Sequence, residues 1–218
     1  MSKAQQVDTR TRLKRAARGL IAQKGVEAVG IREIMQVAGV RNASAVGYHF
    51  GSKQGLISEL VQDIFDEVRG RWRARLGELK TRGDWTVRDI VTIIIEETRW
   101  STINDPQPTV VRFLAAVLAV QHRSAAGMLL AEQSPYNLLM REIVARLPHI
   151  PSGIMRQRLV FFSWYLLSTL SILEAHLAGP ASPQSAELWG GGDVEANIIE
   201  TASAILQAPI PEHRENRA

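Results

Sequence analysis

The residues best suited to touch a ligand in the first quarter of the chain run from Arg32 to Lys53. Arg32, Arg41 and Lys53 supply cations. Asn42 and Ser44 supply compact hydrogen-bonding groups, Tyr48 and His49 a phenol and an imidazole, and Ala45 and Gly47 keep the surface between them thin. Such a set can bind a polyanion, because guanidinium and ammonium groups meet phosphates and short polar side chains reach base edges. It is poor material for covalent catalysis. The chain has five His and no Cys, so a thiolate nucleophile and a Cys-based zinc site are excluded. No GxSxG, HExxH, P-loop or GxGxxG string occurs, and Gly190-Gly191-Gly192 lacks the Lys-Ser/Thr of a phosphate loop. The reading is of a protein with no enzymatic function, no metal and no cofactor.

Charge points the same way. Residues 1–55 hold ten Lys/Arg against three acids, a net +7; the whole chain carries +4, which leaves the remainder at −3. A basic block on a mildly acidic body implies a polyanionic partner for that block. With 45% hydrophobic and 22% charged residues, the chain has the composition of a globular protein rather than a disordered one. The N-terminus is basic, but no apolar signal segment follows it. The most apolar run, Leu159 to Leu173, is 15 residues long and includes three Ser and one Thr, short of the roughly 20 residues a membrane span needs. The expectation is a buried helix in a soluble, cytoplasmic protein without a membrane partner.

The elements that would position these residues are helical. Apolar residues at Leu13, Ala17, Leu20 and Ile21 give a first helix from Thr9 to Lys24, stopped by Gly25. Ile31, Ile34, Met35 and Ala38 give a second, ended by Gly39; Asn42 then caps a third, Ala43 to His49. Two short helices joined by a tight Gly-containing turn are a helix-turn-helix. Ser52 caps a long fourth helix. Further helices are expected at Thr86–Trp100, Val110–His122, Ser124–Leu147 with a break at Ser134-Pro135, Ser152–Ala178, and after Asp193, with a Gly/Pro/Ser-rich loop over 179–192. The fold class is all-α, with about nine helices and no strand.

The strings Gly25-Val26, Ile31-Arg32-Glu33-Ile34, Ala38-Gly39-Val40 and above all Tyr48-His49-Phe50-Gly51-Ser52-Lys53-Gln54-Gly55-Leu56 resemble the tetracycline-repressor (TetR) family of bacterial regulators. The resemblance covers about 50 residues. It implies a three-helix DNA-binding head joined by a long helix to a C-terminal helical domain for ligand binding and dimerisation. Two departures stand out. Gly30 occupies the helix-opening position where the family usually has Thr or Ser. The Gly39-to-Phe50 spacing is one residue longer than the common form, with Gly47 at the usual aromatic position.

On that reading the domains are 1–52 (head), 53–208 (body) and 209–218 (flexible tail). Arg32 and Arg41 are the candidates for reading guanine, with Asn42, Ser44, Ala45 and Gly47 on the groove-facing half of the third helix; Tyr48, His49 and Lys53 are the candidates for phosphate. Candidate ligand-binding residues are Glu97, Trp100, Phe113, His122, Phe161 and Tyr165. The helix 152–178 is apolar on nearly all sides, which implies burial all round. Its stripe of Trp164, Ser168, Ser171 and Ala175, with Ile198, Ala202 and Ile205 of the last helix, is the candidate dimer interface. The expected function is a repressor that binds a near-palindromic DNA duplex as a homodimer and is released by a small apolar or amphipathic effector. The alternative is a helical protein-interaction module.

Overall fold

Helical periodicity organises the whole chain. The computed structural model describes residues 3–42, 44–103, 108–120, 135–179 and 182–210. Among them are ten helices and no strand: α1 (Lys3–Lys24), α2 (Ile31–Val37), α3 (Ala45–Phe50), α4 (Lys53–Arg82), α5 (Val87–Ile103), α6 (Val110–Val120), α7 (Pro135–Arg146), α8 (Ser152–Leu177), α9 (Pro183–Trp189) and α10 (Val194–Gln207). The expected helix from Ser124 is described only from Pro135, and His122 lies outside the described residues.

The helix-turn-helix owes its angle to one residue. Gly39 has φ +64°, the left-handed conformation that favours glycine. It lets Gly39 N donate to Gln36 O (3.1 Å) and Val40 N to Met35 O (2.9 Å), the paired bonds that satisfy the last carbonyls of a helix and turn the chain. The third helix begins two residues later than expected. Asn42 Oδ1 instead accepts from Ser44 N (3.1 Å) and Ser44 Oγ (2.8 Å), which holds the turn ahead of α3. Ser52 does cap α4: its side chain accepts from Gly55 N at 2.9 Å.

Two cores result. The first joins Leu13, Ala17 and Ile21 of α1 to Ile34, Val46 and Leu56, and is completed by Val110, Phe113 and Val117 of α6. The second gathers the far half of α4 with α5, α7, α8 and α10. Helices α4 and α6 thus contribute to the first core while their other faces look into the body. Glu174 of α8 is 1% exposed and accepts from Val111 N (3.0 Å) and Arg112 N (2.8 Å). It satisfies free amides in the first turn of α6 and places negative charge at the positive end of that helix.

Two expectations change. The segment 179–192 is not simply a loop, because α9 forms within it. Ser182 caps that helix and Pro183 opens it, the Ser-Pro order a helix start favours. Nor is α8 buried all round. Phe162, Leu166 and Leu170 are in the core, but Phe161 is 60%, Trp164 40% and Ile172 49% exposed. The helix packs against α6 and α10, and among the described residues nothing covers its remaining face. By length and composition α8 passes as a helix able to cross a membrane; one buried side and one open side account for the same apolar character.

Candidate nucleic-acid interface and ligand cavity

Most of the basic residues in the head are occupied internally. Arg10 and Lys14 of α1 both pair with Glu59 of α4, and Lys14 also with Asp63 at 2.7 Å. Burial alone would raise the Glu59 pKa, but the hydrogen bonds and charges of Lys14 and Arg10 outweigh it and hold the carboxyl below its ordinary value. Arg12 pairs with Asp8 and donates to Ala38 O, Arg18 donates to Thr109 Oγ1, and Lys24 pairs with Glu33. These contacts weld α1 to α2, α4 and the start of α6. Of these acidic partners only Glu59 and Asp63 lie beyond residue 55, so they lower the +7 of that block to +5 and leave it net basic.

Arg32 and Arg41 differ. Both are exposed, and among the described residues neither has an ion-pair or hydrogen-bond partner. Arg32 stands on the first turn of α2 and Arg41 in the turn that leads into α3. The face of α3 is thin: Ser44 and Gly47 are exposed, and a Cβ at Gly47 would meet nothing within 4 Å. Tyr48 projects outward at 72% exposure, its ring edge-on to His49 with centroids 5.0 Å apart. Asn42 is exposed beside them.

Three of the candidate DNA-contacting residues are otherwise engaged. Ala45 is 4% exposed and packs into the core, because the later start of α3 turns it inward. Lys53 Nζ donates to Val26 O at 2.6 Å and so ties α4 to the start of the α1–α2 loop. His49 is half-buried, and its carbonyl accepts from Arg10.

The body encloses a cavity of about 360 Å³. Its walls come from α4, α5, α6, α7 and α8 and are almost wholly apolar; they include Phe65, Val68, Ile94, Leu114 and Leu167. The polar groups are few. Tyr136 OH lies 2.8 Å from Ser163 Oγ, and Ser163 Oγ donates to Leu159 O at 2.6 Å. With the serine proton so used, the phenol donates to the serine. Burial pushes the Tyr136 phenol well above its ordinary range, only partly offset by the Ser163 bond, and keeps it neutral. Trp72 is 6% exposed, and its indole Nε1 has no hydrogen-bond partner among the described residues.

The candidate ligand-binding residues do not converge on this cavity. Glu97 is buried but pairs with Arg71 and Arg75 (3.1 Å each), binding α5 to α4. Phe113 fills the first core, Phe161 faces outward, and Tyr165 packs against the second core. The side chain of Trp100 and all of His122 lie outside the described residues. Trp164, assigned to pairing, does line the cavity. Reading the sequence missed Trp72, Tyr136, Arg156 and Ser163; the one signal was a serine inside an otherwise apolar helix, with a reachable phenol elsewhere.

The candidate dimer residues split. Trp164, Ser168 and Ala175 are exposed and Ser171 half-buried along one side of α8. Ile198 (3%) and Ala202 (0%) are core, and Ile205 packs against it, because α10 turns its apolar stripe toward α5 and α8. The exposed side of α10 carries Asn197, Thr201 and Ala204 instead.

Residues 13–60 match the family described as "Bacterial regulatory proteins, tetR family". Over 64 residues the chain is 33% identical to the HTH-type transcriptional repressor KstR2 of Rhodococcus jostii (strain RHA1). That match covers 29% of this chain and 31% of the repressor, so less than a third of either protein is aligned.

Proposed function

We propose that the chain is a DNA-binding transcriptional regulator of the TetR family, a repressor that reads a near-palindromic operator as a homodimer and lets go when an apolar small molecule enters the body; the match of residues 13–60 to that family supports the reading. The observation that carries the DNA reading is the division among the head's cations. Six are used to hold the head together, whereas Arg15 on α1 and, within the helix-turn-helix, Arg32 and Arg41 are exposed and have no partner among the described residues. In this reading α3 enters the major groove, Ser44 and Asn42 meet base edges, Tyr48 meets phosphate, and Arg32 and Arg41 approach guanine or backbone. Repression comes to this proposal from the named relative.

Pairing rests on the open side of α8. Phe161, Trp164, Ser168, Ile172 and Ala175 lie on one exposed side of a helix that is buried on its other. A two-fold partner would cover that surface and set two α3 helices about one DNA turn, ~34–36 Å, apart. Release rests on α6, which has one face in the head's core and the other in the wall of the cavity. A ligand that displaces Leu114 or Leu118 acts on the same rigid helix that carries Phe113. It shifts the head only by as much as it prefers one arrangement over the other.

The test is selection from a random duplex library at ~0.15 M salt, a condition under which phosphate contacts still count. The expected result is one enriched near-palindrome, lost with Ser44→Arg and weakened with Arg41→Ala. Sedimentation should give a dimer for the wild type and a monomer for Ser168→Arg. A folded dimer that enriches no sequence would overturn the operator reading and favour a protein-interaction role.

A further inference from the structure

The cavity also carries information about what enters it. This inference rests on the effector-binding reading above and narrows it to a chemical class. Every hydroxyl on the wall that has a described partner is committed: Ser163 to Leu159 O, Tyr136 to Ser163, and Thr98 to Ile94 O at 2.6 Å. Among the described residues of the cavity wall, Trp72 Nε1 is a buried donor without a hydrogen-bond partner, in a side chain only 6% exposed. A buried N–H without a partner costs about 1–3 kcal/mol, and a ligand oxygen placed against it would recover that loss. Tryptophan cannot accept a hydrogen bond, so the ligand must.

The rim supplies the second constraint. Arg156 lines the cavity on α8, is exposed, and has no carboxylate partner among the described residues. A shallow groove lined by Gly153, Ile154, Arg156, Gln157 and Val160 continues from the cavity past this guanidinium. The groove runs over the first turns of α8, where there is no acidic side chain and no side-chain cap, so the positive end of the helix dipole reinforces the arginine. Cation and orphan donor are thus set apart. The Trp72 ring is 6.4 Å from Tyr136, whose hydroxyl bonds Ser163. Ser163 stands seven residues along α8 from Arg156, about 10 Å at 1.5 Å per residue. Past that point the cavity's apolar wall continues to Leu170, roughly another 10 Å.

We propose that the effector is a slender long-chain carboxylic acid bearing one hydrogen-bond acceptor, such as a keto oxygen, partway along its chain. Its carboxylate sits at the rim against Arg156, its mid-chain oxygen accepts from Trp72 Nε1, and its tail fills the wall toward Leu170. Two features argue against a neutral hydrocarbon: among the described residues the rim cation has no carboxylate partner and the buried donor no acceptor. The neutral, buried Tyr136 and the apolar wall argue against a second charge deeper inside.

The probes are palmitate, its methyl ester and a mid-chain keto palmitate, titrated calorimetrically into full-length wild type, Trp72→Phe and Arg156→Gln. Expected for the wild type is binding of palmitate, roughly tenfold weaker binding of the ester, and severalfold tighter binding of the keto acid, in line with charged and neutral hydrogen bonds. Trp72→Phe keeps an aromatic ring without the N–H and should erase the keto advantage, so that palmitate and its keto analogue bind alike. Arg156→Gln should erase the difference between acid and ester while leaving the keto advantage. Equal binding of acid and ester overturns the carboxylate assignment and leaves an apolar effector site in place. A keto advantage that survives Trp72→Phe overturns the Trp72 contact. Failure of all three probes to bind, in a protein that still selects its operator, overturns the acid class and leaves the regulator reading intact.

Discussion

The head and the body solve the same problem, burying apolar helix faces, by different means. The head is specified by backbone geometry at single residues: a left-handed glycine at the helix-turn-helix, a serine cap on α4, and a close approach at Gly55. Its helices α2 and α3 span only 7 and 6 residues, too short to be stable alone, so each depends on its turns and on packing into the first core, where ion pairs hold α1 to α4. The body is specified by bulk. Long apolar helices stack around a cavity, and one face of α8 stays uncovered. A region fixed by single atoms tolerates little change but writes a recognisable string in the sequence. A region fixed by bulk tolerates much and writes only periodicity.

The sharpest way to break this contrast is Gly55→Ala. A Cβ there would overlap the carbonyl oxygen of Phe50, a backbone atom that cannot step aside. The expected cost is about 3 kcal/mol, at the upper end for overpacking, with loss of operator binding and a fall in Tm of roughly 6–12 °C for a chain of this size. Palmitate affinity should change little, because the cavity is walled by other residues. A variant with wild-type Tm would show that α3 has room to shift, and the contrast between the two regions would fail.

Smaller, and aimed at the joint between the regions, is Glu174→Gln. The amide removes the charge that sits over the α6 amides and Arg112 while keeping much of the shape. Hydrogen bonds to charged groups contribute about 1.5–3 kcal/mol, so urea denaturation should show a loss of about 2 kcal/mol in a single transition. Two separated transitions would mean that the head and body melt independently and that α6 does not bind them into one unit.

The same contrast explains what could be read in advance. The all-α class, the helix-turn-helix and most helix boundaries followed from spacing and from Gly25, Gly39 and Ser52, since these residues act locally. Arg32 and Arg41 could be named from charge, yet charge alone could not separate them from Arg10 or Lys14, whose partners Glu59 and Asp63 are recognisable only once α1 is laid on α4. The cavity was less legible. Phe161 is a candidate for the cavity that faces outward instead, because whether an apolar position faces core, cavity or open surface depends on how α8 is rotated among α6, α7 and α10, and no single residue encodes that. Ile198 and Ala202 were placed at the partner surface for the same reason. The α9 helix was hidden by its composition, although Ser182-Pro183 carried its start signal.

The least effect is expected from acid, and here the regions can be compared through one carboxylate each. Glu59 in the head is held below its ordinary pKa by Lys14 and Arg10, against the opposing pull of burial. Asp89 in the body is also lowered: burial opposes, but bonds from Thr86 N (2.8 Å) and Thr86 Oγ1 (2.6 Å), with Arg82, prevail. A carboxylate whose pKa is depressed in the folded state adds stability above its unfolded pKa and loses that contribution as the pH falls through the folded value. Both ties should therefore be intact at neutral pH and fade below the ordinary carboxylate range, about pH 4. Partial exposure limits each to about 1 kcal/mol or less. Their consequences should differ. Glu59→Gln loosens α1 from α4, so it should weaken operator binding slightly at neutral pH and flatten the acid dependence of that binding. Asp89→Asn weakens the start of α5, so it should lower Tm by a few degrees and leave operator binding and its acid dependence unchanged. The measurement is operator affinity for wild type and both variants from neutral pH down to about pH 4. If Asp89→Asn flattens the profile as much as Glu59→Gln, acid acts on the molecule as a whole, and the tie between α1 and α4 has no special place in holding the DNA-binding face.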